Sequence, residues 1–185
     1  MITKRDLHTC LKTDQGRYPK GLPTIKDWLI KNESWYLYQY VRQMRYVEYY
    51  QNRGFLYKFL FLWHFFLYKR LGFKIHIVIY PGTVGAGFRI YHVGGFTHVG
   101  KNVQIGKNCT MLPGVVFGNK TEDEDDRPVV VGDNCYFGLD AKILGPVRIG
   151  NNVTIGANSV VTKDVPDNAI VGGVPARIIK IKDNE

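Results

Sequence analysis

Imidazole is the one side chain whose ordinary charge change falls near neutral pH, so the five histidines are the first candidates for chemistry. His92 and His98 stand six residues apart, in a stretch where apolar residues recur every six. At that spacing they fall on successive faces of a coil and cannot converge on one metal ion within a chain, and the coils offer no third suitable histidine. His92 takes an outward position beside Val93, which argues against a histidine satisfied in the core. Cys10, Cys109 and Cys135 are too few and too unpatterned for a disulfide framework or a zinc site. Five consecutive acids, Glu122 to Asp126, are read as a solvated loop, since adjacent carboxylates cannot pack in a core. No metal is expected.

The elements that position these groups follow from the period. Val93, Val99, Ile105, Met111 and Phe117, then Val131, Phe137, Ile143, Ile149, Ile155 and Val161, are spaced by six apart from one break, and glycine follows eight of these eleven. Two residues earlier in each repeat lies a small or β-branched residue, Tyr91 being the exception. Period six is neither helical nor a plain alternating strand. It fits short flat strands joined by tight turns, three per coil, around a triangular core. Asn102, Asn108, Asn134, Asn152 and Asn158 recur at one corner position, where asparagine tolerates left-handed backbone. Cys109 and Cys135 take inward slots and read as small core residues. Between Phe117 and Val131 about eight extra residues form a loop. Beyond Val161, Pro166, Gly172-Gly173 and Pro175 end the repeat, and a short basic, apolar strand follows.

Residues 1–74 differ in kind. Asp27 to Arg53 has few breakers and places Trp28, Trp35, Tyr38, Val41, Arg45 and Tyr49 at helical steps. Residues 55–68 (FLYKFLFLWHFFLY) are apolar or aromatic apart from Lys58 and His64. That is too short to span a bilayer, so the stretch is expected to be a helix buried on several sides, under the coils or in a subunit interface, with peripheral membrane contact as the alternative. Residues 1–76 carry 14 Lys/Arg against 5 Asp/Glu, whereas residues 77–185 are balanced at 11 and 11. The entire net charge of +9 therefore sits in the segment that also holds 18 of the 25 aromatics, which suits a solvated basic face or an anionic partner. Met1 to Lys12 is polar, without the apolar stretch of a secretory signal, and a reducing, cytoplasmic setting is expected. Nothing but charge points to nucleic acid, because no reader motif is present.

Three stretches carry a family resemblance: residues 141–145 (AKILG), 155–166 (IGANSVVTKDVP) and 172–179 (GGVPARII). They resemble the hexapeptide-repeat acyltransferases, in the branch that includes serine acetyltransferases and the O-acetyltransferases of surface and capsular polysaccharide. The resemblance spans about residues 75–180 and implies a mainly β fold, a left-handed parallel β-helix (75–185) preceded by an α-helical segment (1–74). It implies acetyl-CoA as co-substrate, lying along the coils between subunits of a homotrimer. Gly118, Asn119, Leu139, Ala157, Thr162, Lys163, Arg177 and Lys180 are its implied contacts, the last three cations suiting the nucleotide phosphates. His92 matches the catalytic histidine, a general base for a hydroxyl that attacks the thioester.

The pattern departs from that of serine acetyltransferases in three places. Tyr91 stands where the family has an aspartate before the histidine, Pro128 where a second histidine closes the loop, and Val78 where a further aspartate lies. These losses point to a hydroxyl on a larger acceptor, a sugar or polysaccharide precursor, with L-serine as the alternative. They also require an orienting group for His92 from elsewhere, a backbone carbonyl being one candidate. A γ-carbonic-anhydrase-like metalloenzyme and a non-catalytic β-helix scaffold are the readings from other classes.

Overall fold

The computed structural model describes residues 3–18, 24–120 and 129–183. Four α-helices come first: α1 (Lys4–Gly16), α2 (Ile25–Ile30), α3 (Glu33–Tyr50) and α4 (Lys58–Ile75), the last preceded by a 3₁₀ turn (Phe55–Tyr57). The helical stretch expected over 27–53 is split at Lys31, whose backbone is left-handed (φ 45°), and Asn32 caps α3 through the Trp35 N–H.

The coils then run through fourteen strands: β1 (Ile77–Ile79), β2 (Arg89–Ile90), β3 (Thr97–Val99), β4 (Val103–Ile105), β5 (Thr110–Met111), β6 (Val116–Asn119), β7 (Val129–Val131), β8 (Tyr136–Phe137), β9 (Lys142–Gly145), β10 (Val147–Ile149), β11 (Thr154–Ile155), β12 (Val160–Val161), β13 (Ala169–Gly172) and β14 (Arg177–Ile181). They form three parallel sheets, the sides of a triangular prism. The first is β1-β3-β6-β9-β12, the second β4-β7-β10, and the third β2-β5-β8-β11-β13, to which β14 adds antiparallel. The expected inward residues from Val99 onward fill the prism, and Cys109 and Cys135 are buried as core residues. Asn108, Asn134, Asn152 and Asn158 take left-handed corners, φ 55–59°, while Asn102 does not.

The repeat is corrected at its start. Val93 is 43% exposed, and the inward residue preceding Val99 is Ile90, at 1%. Nine residues separate these two where six are due, so the 91–96 corner between β2 and β3 bulges out of the prism, and His92 lies on the bulge. The acidic run Glu122–Asp126 and Pro128 lie outside the described residues.

A buried ionic knot locks the helices to the first coil. The Arg45 guanidinium, 3% exposed, donates to Asp14 (2.9 Å), to Glu48 (3.2 Å) and to the carbonyls of Val84 (2.7 Å) and Gly85 (2.6 Å). Asp14 in turn accepts the N–H groups of Gly87 and Phe88, and Glu48 that of Gly82. Tyr40 and Tyr68 hydroxyls bond the backbone of Ile79 in β1. Gly72 lets α4 approach β1, because a Cβ there would lie 2.6 Å from the Ile77 carbonyl oxygen.

The expectation that α4 is buried on several sides is not met within this chain. Only Tyr68, Gly72 and Ile75 of α4 are buried, while Phe59, Trp63, Phe66 and Phe73 are exposed. One flank of α4 suffices to meet α3 and β1, which leaves the other flank of an all-round apolar helix uncovered on this chain. His64 faces inward, its ring stacked on Tyr46 and Tyr50 with Nδ1 2.7 Å from Gln43 Oε1.

Candidate active site

His92 stands at the corner between β2 and β3, with backbone in the left-handed region at φ 59°. A non-glycine residue held there inside a bulge is the kind of local strain that accompanies functional positions. Its side chain is 69% exposed, and its Nδ1 lies 3.1 Å from Oε1 of Glu33. The same oxygen accepts the Val93 backbone N–H at 2.6 Å. Glu33 thus grips both the ring and the backbone of the bulge. This carboxylate replaces the backbone carbonyl considered from sequence as the orienting group.

Glu33 is itself held by local chemistry. It opens α3, where the N-terminal end of a helix favours a negative charge. The elbow before it is fixed by Asp27, which closes a capping box with Thr24 and accepts from the Asn32 amide. The Thr24 hydroxyl, backed by the Thr24 N–H and Asn32, holds the Asp27 carboxyl below its usual range.

With Nδ1–H donating to the carboxylate, Nε2 is left unprotonated and free to accept a proton. His98 is differently employed: it stacks on Phe96 and its Nδ1 faces the Phe117 carbonyl at 3.3 Å.

The predicted cofactor residues divide between the two edges of the β1-β3-β6-β9-β12 sheet. Along the edge that carries His92, successive corners stack: Leu112 N–H bonds Phe137 O, Asn158 N–H bonds Leu139 O, and Gly156 N–H bonds Val171 O. Leu139 and Ala157 therefore share the column of His92, both exposed. Arg177 lies at its far end, where the 173–176 turn is pinned by Ala176 N–H to Val160 O. At about 4.8 Å per coil, His92 and Ala157 are roughly 14 Å apart. Gly118 and Asn119 occupy the opposite edge, paired with Leu144 and Gly145. Thr162 and Lys163 continue from β12 along that same edge, two coils beyond Gly118 and Asn119. Lys180 sits on β14 opposite Ile170. Lys163, Arg177 and Lys180 are exposed and have no ion pair among the described residues, so their charge is available to phosphates. Tyr91 and Val78 stand as read: Tyr91 carries Arg89 over its ring, and Val78 pairs with His98.

The hexapeptide repeat of succinyl-transferase matches residues 97–120 and 128–163. The chain carries this hexapeptide repeat and folds as a left-handed β-helix, and it is similar to serine acetyltransferases in sequence and in structure. Serine acetyltransferase of Mycobacterium tuberculosis is 41% identical over 102 residues, covering 55% of this chain and 44% of that protein. The chain spans about half the length of the curated relatives it matches. Among solved structures, Neisseria gonorrhoeae serine acetyltransferase in complex with serine superposes with TM-score 0.70 at 28% identity, over 96% of this chain and 70% of that one. A serine acetyltransferase in complex with CoA gives 0.71 at 26% identity, over 95% and 71%. Coverage this high includes the N-terminal helices.

Glu33 is the residue beside His92 that the sequence reading missed. Its one sequence signal is its place directly after a capping asparagine, and that says nothing of His92, 59 residues away.

Proposed function

We propose that this hexapeptide-repeat chain transfers the acetyl group of acetyl-CoA to a hydroxyl, with His92 as general base and Glu33 as the carboxylate that orients and charge-stabilises it. The observation that carries the reading is the 3.1 Å contact between Glu33 and His92 on an outward bulge at the head of a column of exposed corners. Nε2 of His92 takes the acceptor's proton as its oxygen attacks the thioester carbonyl carbon. The carbon–sulfur bond breaks, and the imidazolium returns the proton to the departing thiolate, giving an O-acetyl ester and free CoA. Glu33 steadies the imidazolium between those two transfers.

Pantetheine runs along the exposed corners past Leu139 and Ala157, and Lys163, Arg177 and Lys180 neutralise the phosphates. The two columns lie on opposite edges of one sheet, so one acetyl-CoA uses both when they come from adjacent chains of a homotrimer. The setting is cytoplasmic in this reading.

For the acceptor, the relatives and structural neighbours favour L-serine over the polysaccharide precursor that the sequence pattern pointed to. Glu33 also supplies a carboxylate beside the base, which the aromatic Tyr91 does not. A second reading, a sugar hydroxyl, rests on Val78 and Tyr91, which line the neighbourhood of His92 and His98 with apolar and aromatic surface. Release of CoA from acetyl-CoA, followed with a thiol reagent, separates the readings when L-serine and nucleotide-linked sugars are offered in turn. Turnover of L-serine alone establishes the first, turnover of sugars alone the second. Failure of every hydroxyl acceptor, with intact binding of CoA, sinks O-acetyl transfer.

A further inference from the structure

Between Glu48 and Glu122 the chain has no acidic residue, yet it has nine Lys/Arg in that interval. The first part of the interval is α4 with its 3₁₀ turn. Phe55, Phe59, Trp63, Phe66 and Phe73 are 53–87% exposed, and all but Phe55 lie on α4 at steps of three, four and seven, one flank of a helix. Lys58, Lys69, Arg70 and Lys74 border that flank. No helix among the described residues is long and apolar enough to cross a membrane. Aromatic anchors edged by lysine and arginine on a helix too short to span are the chemistry of a helix lying in a lipid–water interface.

Beside this flank, α3 and α4 enclose a cleft of about 380 Å³. Lys31, Arg70 and Lys74 line it together with Trp35, Gln39 and Gln43, and no carboxylate does. The Trp35 indole N–H is buried without a hydrogen-bond partner among the described residues. Three cations, an unused donor and two amides suit a phosphate group.

We propose that the α3–α4 face docks on an anionic phospholipid surface, the aromatic flank of α4 entering the headgroup region and the cleft taking a lipid phosphate. Charge selects this occupant over a second copy of the chain, since a symmetric contact through this face would set Lys58, Lys69 and Arg70 against themselves.

The test is co-sedimentation of the full chain with vesicles of phosphatidylcholine, with and without about 30 mol% phosphatidylglycerol as the anionic lipid. Binding is expected only with the anionic lipid and falls with salt. Lys58→Gln/Arg70→Gln removes two cations that have no ion pair among the described residues; at about 1 kcal/mol for each, partitioning drops about 30-fold. Trp63→Glu/Phe66→Glu abolishes it. Acetyl-CoA turnover with a soluble acceptor and the oligomer size on a sizing column stay unchanged in both variants, which shows that they are folded. Equal binding to neutral vesicles, no binding at low salt, or dissociation of the oligomer by Trp63→Glu/Phe66→Glu would each overturn the proposal, the last by making the face a subunit interface.

Discussion

Replacing Arg45 by methionine tests how the helices are fastened to the coils. The side chain keeps its length and loses its charge and all its donors. In the native protein those donors serve Asp14, Glu48 and two carbonyls, with the side chains of Arg45, Asp14 and Glu48 only 3%, 2% and 5% exposed. Burial opposes the charge on Arg45, but Glu48 and Asp14 more than offset it and hold the guanidinium firmly protonated. Breaking a buried pair from one side costs about 3–5 kcal/mol, because the partner charges stay buried without compensation. For a chain of this size 1 kcal/mol is about 2–4 °C in Tm, so the melting point should fall by roughly 6–20 °C. Circular dichroism at fixed protein concentration measures it, since an oligomer's melting point depends on concentration. Adding Glu48→Gln should recover part of the loss, because Asp14 still has the N–H groups of Gly87 and Phe88 while the second uncompensated charge is gone. A fall below about 2 °C in Arg45→Met would refute the assignment of this knot as the fastening, on the same scale. So would a double variant less stable than the single one.

Other outcomes follow from the site and its supports. His92→Ala should lower kcat about 10²- to 10⁴-fold with CoA binding retained by calorimetry. Glu33→Gln keeps an acceptor for the ring but loses the charge, and as the pair is solvent-exposed the expected loss in kcat is only about tenfold; a KM change with constant kcat would instead make Glu33 an acceptor-binding group. Lys163→Ala/Arg177→Ala should raise KM for acetyl-CoA and leave kcat, if the charges serve the phosphates. Burial first, then Arg42, pushes the His64 imidazole below its ordinary value near 6.5. The fold binds that proton less readily than the unfolded chain does, so His64 stabilises above pH 6.5 and this contribution is lost as pH falls through the lowered value. His64→Gln should flatten the decline in Tm between pH 7 and 5.

The coils were legible because their physics is local and repeated. One inward apolar residue every six positions, with a corner after it, is enough to fix the strand register from Val99 to Val161. The same regularity misled at Val93, where a valine stands by coincidence six before Val99. The real inward residue is Ile90, and only the packed prism shows that three extra residues have been pushed outward. α4 misled for a different reason. Periodicity reports how apolar a helix is, but not how much surface the rest of the fold has available to cover it.

The candidate site divides along the same line. Leu139 and Ala157 fall into one column because the corner spacing places them there, so the repeat positions what the resemblance names, while Arg177 reaches the end of that column from β14, beyond the repeat. Glu33 obeys no repeat. Its link to His92 depends on how α3 is set against the first coil, and that setting rests on Arg45, Asp14 and Glu48, all far from the site in sequence. Tyr91 stands where the family resemblance calls for an aspartate next to the base. Here the orienting carboxylate comes from another layer of the fold, so the chemistry of His92 is tied to the stability of the helix–coil junction. A variant such as Arg45→Met should therefore lower kcat as well as Tm, and Glu33→Gln should abolish that additional loss, since there is then no carboxylate to misplace. If the two effects on kcat multiply instead, the junction and the base are independent, and Glu33 is held by its own elbow at Asp27 and Asn32.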